Sequence, residues 1–96
     1  MPFESVRAAI KARYPAMSRQ LQIGARFLLD RPEEVATASM RAVAGRAGVT
    51  PVTLVRLARA LGCADWRELR RPFVERLKPV SAALRRLTRS SARAAS

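Results

Sequence analysis

The sequence predicts an all-α fold, a small multi-helix bundle that contains a helix-turn-helix. Three observations predict it. Apolar residues recur at helical spacing in successive segments, as in Phe3, Val6 and Ile10, and again in Trp66, Leu69, Phe73 and Leu77. Between residues 40 and 59, two short helical patterns flank Gly48-Val49-Thr50-Pro51, which has the chemistry of a helix exit followed by a helix start. A length of 96 residues allows one small domain with a modest core.

Taken in order, the first element runs from Phe3 to Arg13 and ends before Tyr14-Pro15, because Pro15 disfavours helix at Tyr14. Ser18 is placed to cap a second helix, Arg19 to about Asp30. The apolar residues of that helix do not form one stripe: Leu21, Ala25, Leu28 and Leu29 occupy one side, Ile23 and Phe27 another. A helix apolar on two sides is either central in the fold or faces a second subunit. A dimer contact is therefore expected at Phe27 and Ile23, or else on the Leu21–Leu28 side. Arg31-Pro32 breaks the helix, and Glu33 to Ala38 reads as a turn or two whose leading acids, Glu33 and Glu34, suit the positive end of a helix dipole.

Ser39 then caps the central unit, and the amides next to it are expected to hold a DNA phosphate. Met40 to Ala47 forms its first helix. Gly48 supplies the positive φ of a sharp exit, Thr50 is the next N-cap, and Pro51 suits a first helical position that has no N–H to satisfy. Val43, Ala44, Ala47, Val49, Leu54 and Leu57 fall at the inward sites of a helix-turn-helix, with Ala44 small where the two helices cross.

The second helix of the unit, about 51–61, carries the chemistry. At 100° per residue, Leu54, Leu57, Ala58 and Leu61 share one face. The opposite face presents Val52, Arg56 and Arg59, flanked by Thr53 and Ala60, and no acid occurs between Met40 and Gly62. Arg56 has the donor fork that spans guanine O6 and N7, and Val52 suits a thymine methyl. Arg59, nearer the C-terminal end, is expected at a phosphate, as are Arg41 and Arg46 on the first helix or near its end. The predicted DNA-binding residues are thus Ser39, Arg41, Arg46, Thr50, Val52, Thr53, Arg56 and Arg59.

After Gly62, Asp65-Trp66-Arg67-Glu68 has the spacing of a capping box, with Asp65 as cap and Glu68 reaching back. The stripe Trp66, Leu69, Phe73, Leu77 follows, with Pro72 inside it, so either a kinked helix or two short ones is expected. Pro79 marks a boundary. Residues 1–78 read as the helix-turn-helix domain, and 79–96 as a basic linker or tail. The tail holds one amphipathic stretch (Val80, Ala83, Leu84, Leu87), then a disordered Ser/Ala/Arg run.

Composition narrows the function. Lys and Arg number 19 against 7 acids, a formal charge of +12, which favours a polyanionic partner or an anionic membrane surface. Arginine heavily outnumbers lysine, which suits bidentate contacts to phosphate and guanine. The aromatic residues are few and scattered, so no stacking platform for single strands is expected. Cys63 is alone, which excludes an intrachain disulfide and a cysteine metal cluster, and it is expected to behave as a small apolar side chain. There is no histidine, the usual general base and metal ligand, and no grouping of acids suited to catalysis. No enzyme activity, metal or cofactor is predicted. No apolar run approaches the roughly 20 residues that span a bilayer, and the N-terminus lacks the layout of a secretory signal, so a bacterial-type cytoplasm is the expected compartment.

Residues Gly48-Val49-Thr50-Pro51-Val52-Thr53-Leu54-Val55-Arg56-Leu57-Ala58-Arg59-Ala60-Leu61-Gly62, followed by Trp66-Arg67-Glu68-Leu69-Arg70, resemble the N-terminal domain of the RpiR family of bacterial transcriptional regulators. Upstream, Tyr14-Pro15-Ala16-Met17-Ser18 is similar to the family's Tyr-Pro-x-Leu-Ser segment, and Arg31-Pro32-Glu33-Glu34-Val35 to its Asn-Pro-x-x-Val. The resemblance covers Phe3 to about Leu77. Leu57 departs from it, standing where the family has Phe, and Ala64-Asp65-Trp66 stands where a Gly-x-Phe is more usual. The resemblance implies an all-helical domain that binds double-stranded DNA, often as a homodimer. In the family a sugar-isomerase-like domain follows and senses phosphosugars. These 96 residues contain no counterpart of it, so a phosphosugar effector is implied only together with such a domain.

Three functions compete. The leading one is sequence-specific binding of duplex DNA as a transcriptional regulator. A sequence-tolerant basic protein that coats nucleic acid would respond to charge alone and would not depend on Val52 or Arg56. A protein-interaction domain with incidental charge would show no affinity for duplex.

Overall fold

The structure is a computed structural model and describes residues 2–77. Among these residues the only regular secondary structure is helix, with no strand. The helices are α1 (Phe3–Arg13), α2 (Arg19–Asp30), α3 (Pro32–Thr37), α4 (Met40–Ala47) and α5 (Pro51–Ala60), with α6 at residues 66–77 and a 3-10 turn at Tyr14–Ala16. The expectations for the tail at 79–96 lie outside the described residues.

Local chemistry explains most of the boundaries. Ser18 Oγ accepts from the Leu21 amide at 3.3 Å, Ser39 Oγ from the Ala42 amide at 3.1 Å, and Thr50 Oγ1 from the Thr53 amide at 3.2 Å. Each hydroxyl satisfies one of the amides that a helix start leaves over. Both helices of the central unit end alike. At Gly48, φ is +79°, the Val49 amide reaches Ala44 O at 3.0 Å and the Gly48 amide reaches Gly45 O at 3.3 Å. At Gly62, φ is +88°, the Cys63 amide reaches Ala58 O at 2.9 Å and the Gly62 amide reaches Arg59 O at 3.0 Å. These are two Schellman endings, and each needs a left-handed residue that glycine provides without strain. The apolar residue that follows each one, Val49 or Cys63, packs on the core as such endings favour.

Two expectations about α6 are refined. Asp65 Oδ1 accepts from the Glu68 amide at 2.8 Å, as a cap should, but Glu68 Oε2 reaches one residue further back, to the Ala64 amide at 2.8 Å. Pro72 does not divide the segment: it is buried and the helix continues through it to the last described residue.

The core is built from every helix. Val6 and Ile10 of α1, Ala25 and Leu28 of α2, Val35 of α3, Val43 and Ala44 of α4, Leu54, Leu57 and Ala58 of α5, and Leu69 and Phe73 of α6 are all at most 1% exposed. Helix α2 is the hub, packing against α3, α4 and most extensively α5. Its two-sided apolar character is accounted for mainly in this way. Ala25 and Leu28 have no exposure, so the Leu21–Leu28 side belongs to the core of the single chain and not to a dimer contact. Leu21, Leu29 and Phe27 pack half-buried around that core. Ile23 is also half-buried, without belonging to the residues that pack on it.

Gly24 sets the spacing of α2 and α5. A Cβ added there would lie 3.3 Å from Leu57 Cδ2 and 3.7 Å from Leu54 Cδ2, both on fully buried side chains. Alanine at this position gains helix propensity of about 1 kcal/mol but crowds Leu57. A larger side chain has nowhere to go. Gly24→Leu should cost about 1–3 kcal/mol through overpacking, read as a lowered midpoint in thermal unfolding. An unchanged midpoint would mean that α2 and α5 are not held this closely.

Two arginines tie the helices together. The Arg13 guanidinium donates to Ala60 O, joining the end of α1 to the last turn of α5. Arg70 donates from Nε to Val35 O at 3.1 Å and from Nη2 to Ala36 O at 2.6 Å, taking up carbonyls that the end of α3 leaves unpaired. Near the chain start, Phe3 meets Phe73 edge-to-face at 5.2 Å between centroids, and the Arg76 guanidinium lies 4.6 Å over the Phe3 ring.

Candidate nucleic-acid interface

The α4–turn–α5 unit is built by residues that each leave little choice. The four positions Gly48 to Pro51 turn the chain, Ala44 is 1% exposed beneath α5, and Leu54, Leu57 and Ala58 have no exposure at all. With that face committed to α2 and α4, the opposite face of α5 must point outward. Val52 is 57% exposed, the one large apolar side chain exposed to this degree among the described residues. Arg56 and Arg59 are exposed one and two turns further on, as is Arg41 on α4, and none of the three has an ion pair among the described residues. Exposing an apolar side chain between unpaired arginines contributes nothing to folding. It does give a surface with one methyl-sized apolar contact and forked donors beside it.

The other predicted residues divide. Ser39 and Thr50 are exposed, with their hydroxyls used as caps. Arg46 is exposed but donates to Glu34 Oε1 at 3.2 Å, and Glu34 also faces Arg31 at 3.8 Å. An exposed pair of this kind is worth about 0–1 kcal/mol, so a phosphate would displace it at little cost. Thr53 is a correction. It is only 8% exposed, and its Oγ1 lies 3.0 Å from Thr50 Oγ1. The helical wheel put Thr53 on the flank of the outer face, but the hydroxyl pair at the helix start turns it inward, so its side chain supports the turn and is not part of the exposed face.

Cys63 is buried at 6% exposure, and its thiol is pushed above its ordinary pKa, first by burial and then by the charge of Glu68. It therefore stays protonated at neutral pH, as expected of an apolar filler and not of a nucleophile. Among the described residues no group of three or more potential donors could hold a metal ion, and no helix is long and apolar enough to cross a membrane. Sequence reasoning missed Arg13 and Arg70, which hold the scaffold beneath the site through contacts 34 to 47 residues apart. No local pattern marks such partners. It also passed over Gly62, although glycine after an apolar helix is the same signal that identified Gly48. No family model, curated protein or solved structure matches the chain.

Proposed function

We propose that this protein binds double-stranded DNA sequence-specifically, as a bacterial transcriptional regulator of the RpiR type, with α5 in the major groove. The observation that carries the reading is the outer face of α5. Val52, Arg56 and Arg59 stand exposed on a helix whose other face is fully buried, in a segment from Met40 to Gly62 without a single acid. In a helix-turn-helix the second helix reads base edges while the first crosses the backbone. Arg56 then addresses a guanine, Val52 a thymine methyl, and Arg41, Arg59 and Arg46 the phosphates. The resemblance of residues 48–62 and 66–70 to RpiR-family domains supports the same assignment, and a cytoplasmic location goes with it.

Salt is the first test. Each phosphate neutralised should add about −0.9 to the slope of log affinity against log salt. With +12 on the chain, the slope should be steeply negative in a titration of any duplex. A slope near zero would remove DNA as the partner.

One recognition helix reads few base pairs, so the reading includes a two-fold dimer with half-sites one helical turn apart. With Ala25 and Leu28 in the core, the apolar surface that α2 still offers comes from Leu21, Ile23, Phe27 and Leu29, of which Ile23 does not pack on that core. Sedimentation equilibrium on DNA should show a dimer for the wild type and a folded monomer for Ile23→Lys. Phe27→Ser should weaken both assembly and folding, because Phe27 also packs on the core. A wild type that remains monomeric on DNA at every concentration would contradict the dimer.

A further inference from the structure

We propose that the groove between the end of α1 and the outer face of α2 binds a small amphipathic carboxylate of the medium-chain fatty-acid kind. Its apolar body lies against Tyr14, Pro15 and Leu29, and its carboxylate meets Lys11 and Arg26. The site is separate from the outer face of α5 and does not rest on the DNA-binding reading.

The groove holds about 390 Å³, a volume usual for small-molecule sites, and is lined by Ile10, Lys11, Tyr14, Pro15, Arg26 and Leu29. Ile10 is fully buried beneath it, Tyr14 and Leu29 are half-buried, and Pro15 is exposed. The groove lies on the side of α2 turned away from α5. Gly24 faces Leu57 of α5, and at 100° per residue Leu29 and Arg26 lie about 140° and 200° round the helix from it. The charge along the groove has one sign. Lys11 and Arg26 are exposed, neither has an ion pair among the described residues, and no carboxylate lines the groove. Asp30, one turn beyond Arg26, pairs with neither cation and is not part of the lining. Two like charges beside one apolar surface repel each other, and an anion between them offsets that repulsion. Their aliphatic stems extend the apolar wall while the charged heads stay at the rim.

Two features set the size and kind of the occupant. Around Leu29 the outer face of α2 is polar, with Arg19, Gln22, Arg26 and Asp30, so the apolar surface is short. Gln22 is itself engaged, its Nε2 donating to Tyr14 O at 2.9 Å and tying the 3-10 turn to α2. A docked partner helix needs apolar anchors over several turns, whereas a short alkyl chain is covered within one. The second feature is the scarcity of acceptors. Of the lining side chains only the Tyr14 phenol carries an oxygen, so the hydroxyls of a sugar would find no carboxylate or amide there. The chemistry that fits is one acid group on an apolar body.

The test is an amide NMR titration of the full chain without DNA, using octanoate below micelle formation, with 1-octanol and acetate as controls. Octanoate should shift the amides of Lys11, Tyr14, Arg26 and Leu29 most, and should saturate at about millimolar concentration. Octanol should bind more weakly, and acetate should give no saturable shift. Lys11→Gln and Arg26→Gln, both at exposed positions, should each weaken octanoate by about two- to fivefold and leave octanol unchanged. Octanoate without a saturable shift would overturn the site. Shifts spread over every basic surface, or centred on Val52, would make the effect a general one of anions on a basic chain and would also overturn it. Octanol binding as tightly as octanoate, in the wild type and both variants, would overturn the carboxylate's part. Shifts at Tyr14 and Leu29 that follow protein concentration alone would place a second copy of the chain in the groove and overturn the small ligand.

Discussion

Leu57→Ala should cost about 2–5 kcal/mol of folding stability, one of the largest single effects expected in this domain. Leu57 has no exposure, and its Cδ2 is the atom that a side chain at Gly24 would meet first. Truncation opens a cavity where α5 rests on α2, and the glycine opposite has no side chain to fill it. Small domains have stabilities at the lower end of about 5–15 kcal/mol, so a loss of this size leaves a large unfolded fraction at moderate temperature. Urea denaturation should show a lower midpoint with an unchanged slope. Where the variant is still folded, its affinity for DNA should remain close to wild type, because Leu57 faces away from the reading surface. A loss below about 1 kcal/mol would mean that α5 is not seated on α2 as described.

Arg56→Ala should leave stability unchanged and weaken binding to a preferred duplex by about 1–3 kcal/mol, or about five- to 150-fold, while relaxing preference at one base position. The side chain is exposed and makes no ion pair among the described residues, so its removal strands no partner in the protein. Arg41→Ala and Arg59→Ala serve as controls. Both should weaken all duplexes alike, because phosphate contacts carry no sequence information. Equal losses for Arg56→Ala on preferred and scrambled duplexes would move Arg56 to the backbone and leave Val52 as the one base-reading candidate.

Much of the architecture could be read directly because its signals are local. Ser18, Ser39, Thr50 and Asp65 each cap the helix that their position announces, and Gly48 turns left-handed where the apolar pattern breaks. Cap and turn chemistry act over three or four residues, within reach of a sequence pattern. The failures lie at longer range or in competition between neighbours. Gly24 reads as a weak point in a helix, and only the approach of Leu57 makes it a spacer. Arg13 and Arg70 read as solvated charges until the ends of α5 and α3 come within their reach. Thr53 sits on the flank of an ideal wheel, yet it is buried with its hydroxyl against that of Thr50. At the candidate site, therefore, Val52, Arg56 and Arg59 were legible as outward residues, while the inward turn of Thr53 was not.

The central claim is that α5 reads base sequence, and competition between duplexes tests it most directly. Duplexes enriched on the protein from a random pool should converge on a common site, and that site should outcompete a scrambled duplex of equal length at fixed salt by about 10³-fold or more. Arg56→Ala should lower that ratio by about five- to 150-fold, through lost preference at one position, while changing affinity for the scrambled duplex little. A pool that never converges, or equal competition by both duplexes, would contradict base reading and leave a basic protein that responds only to charge.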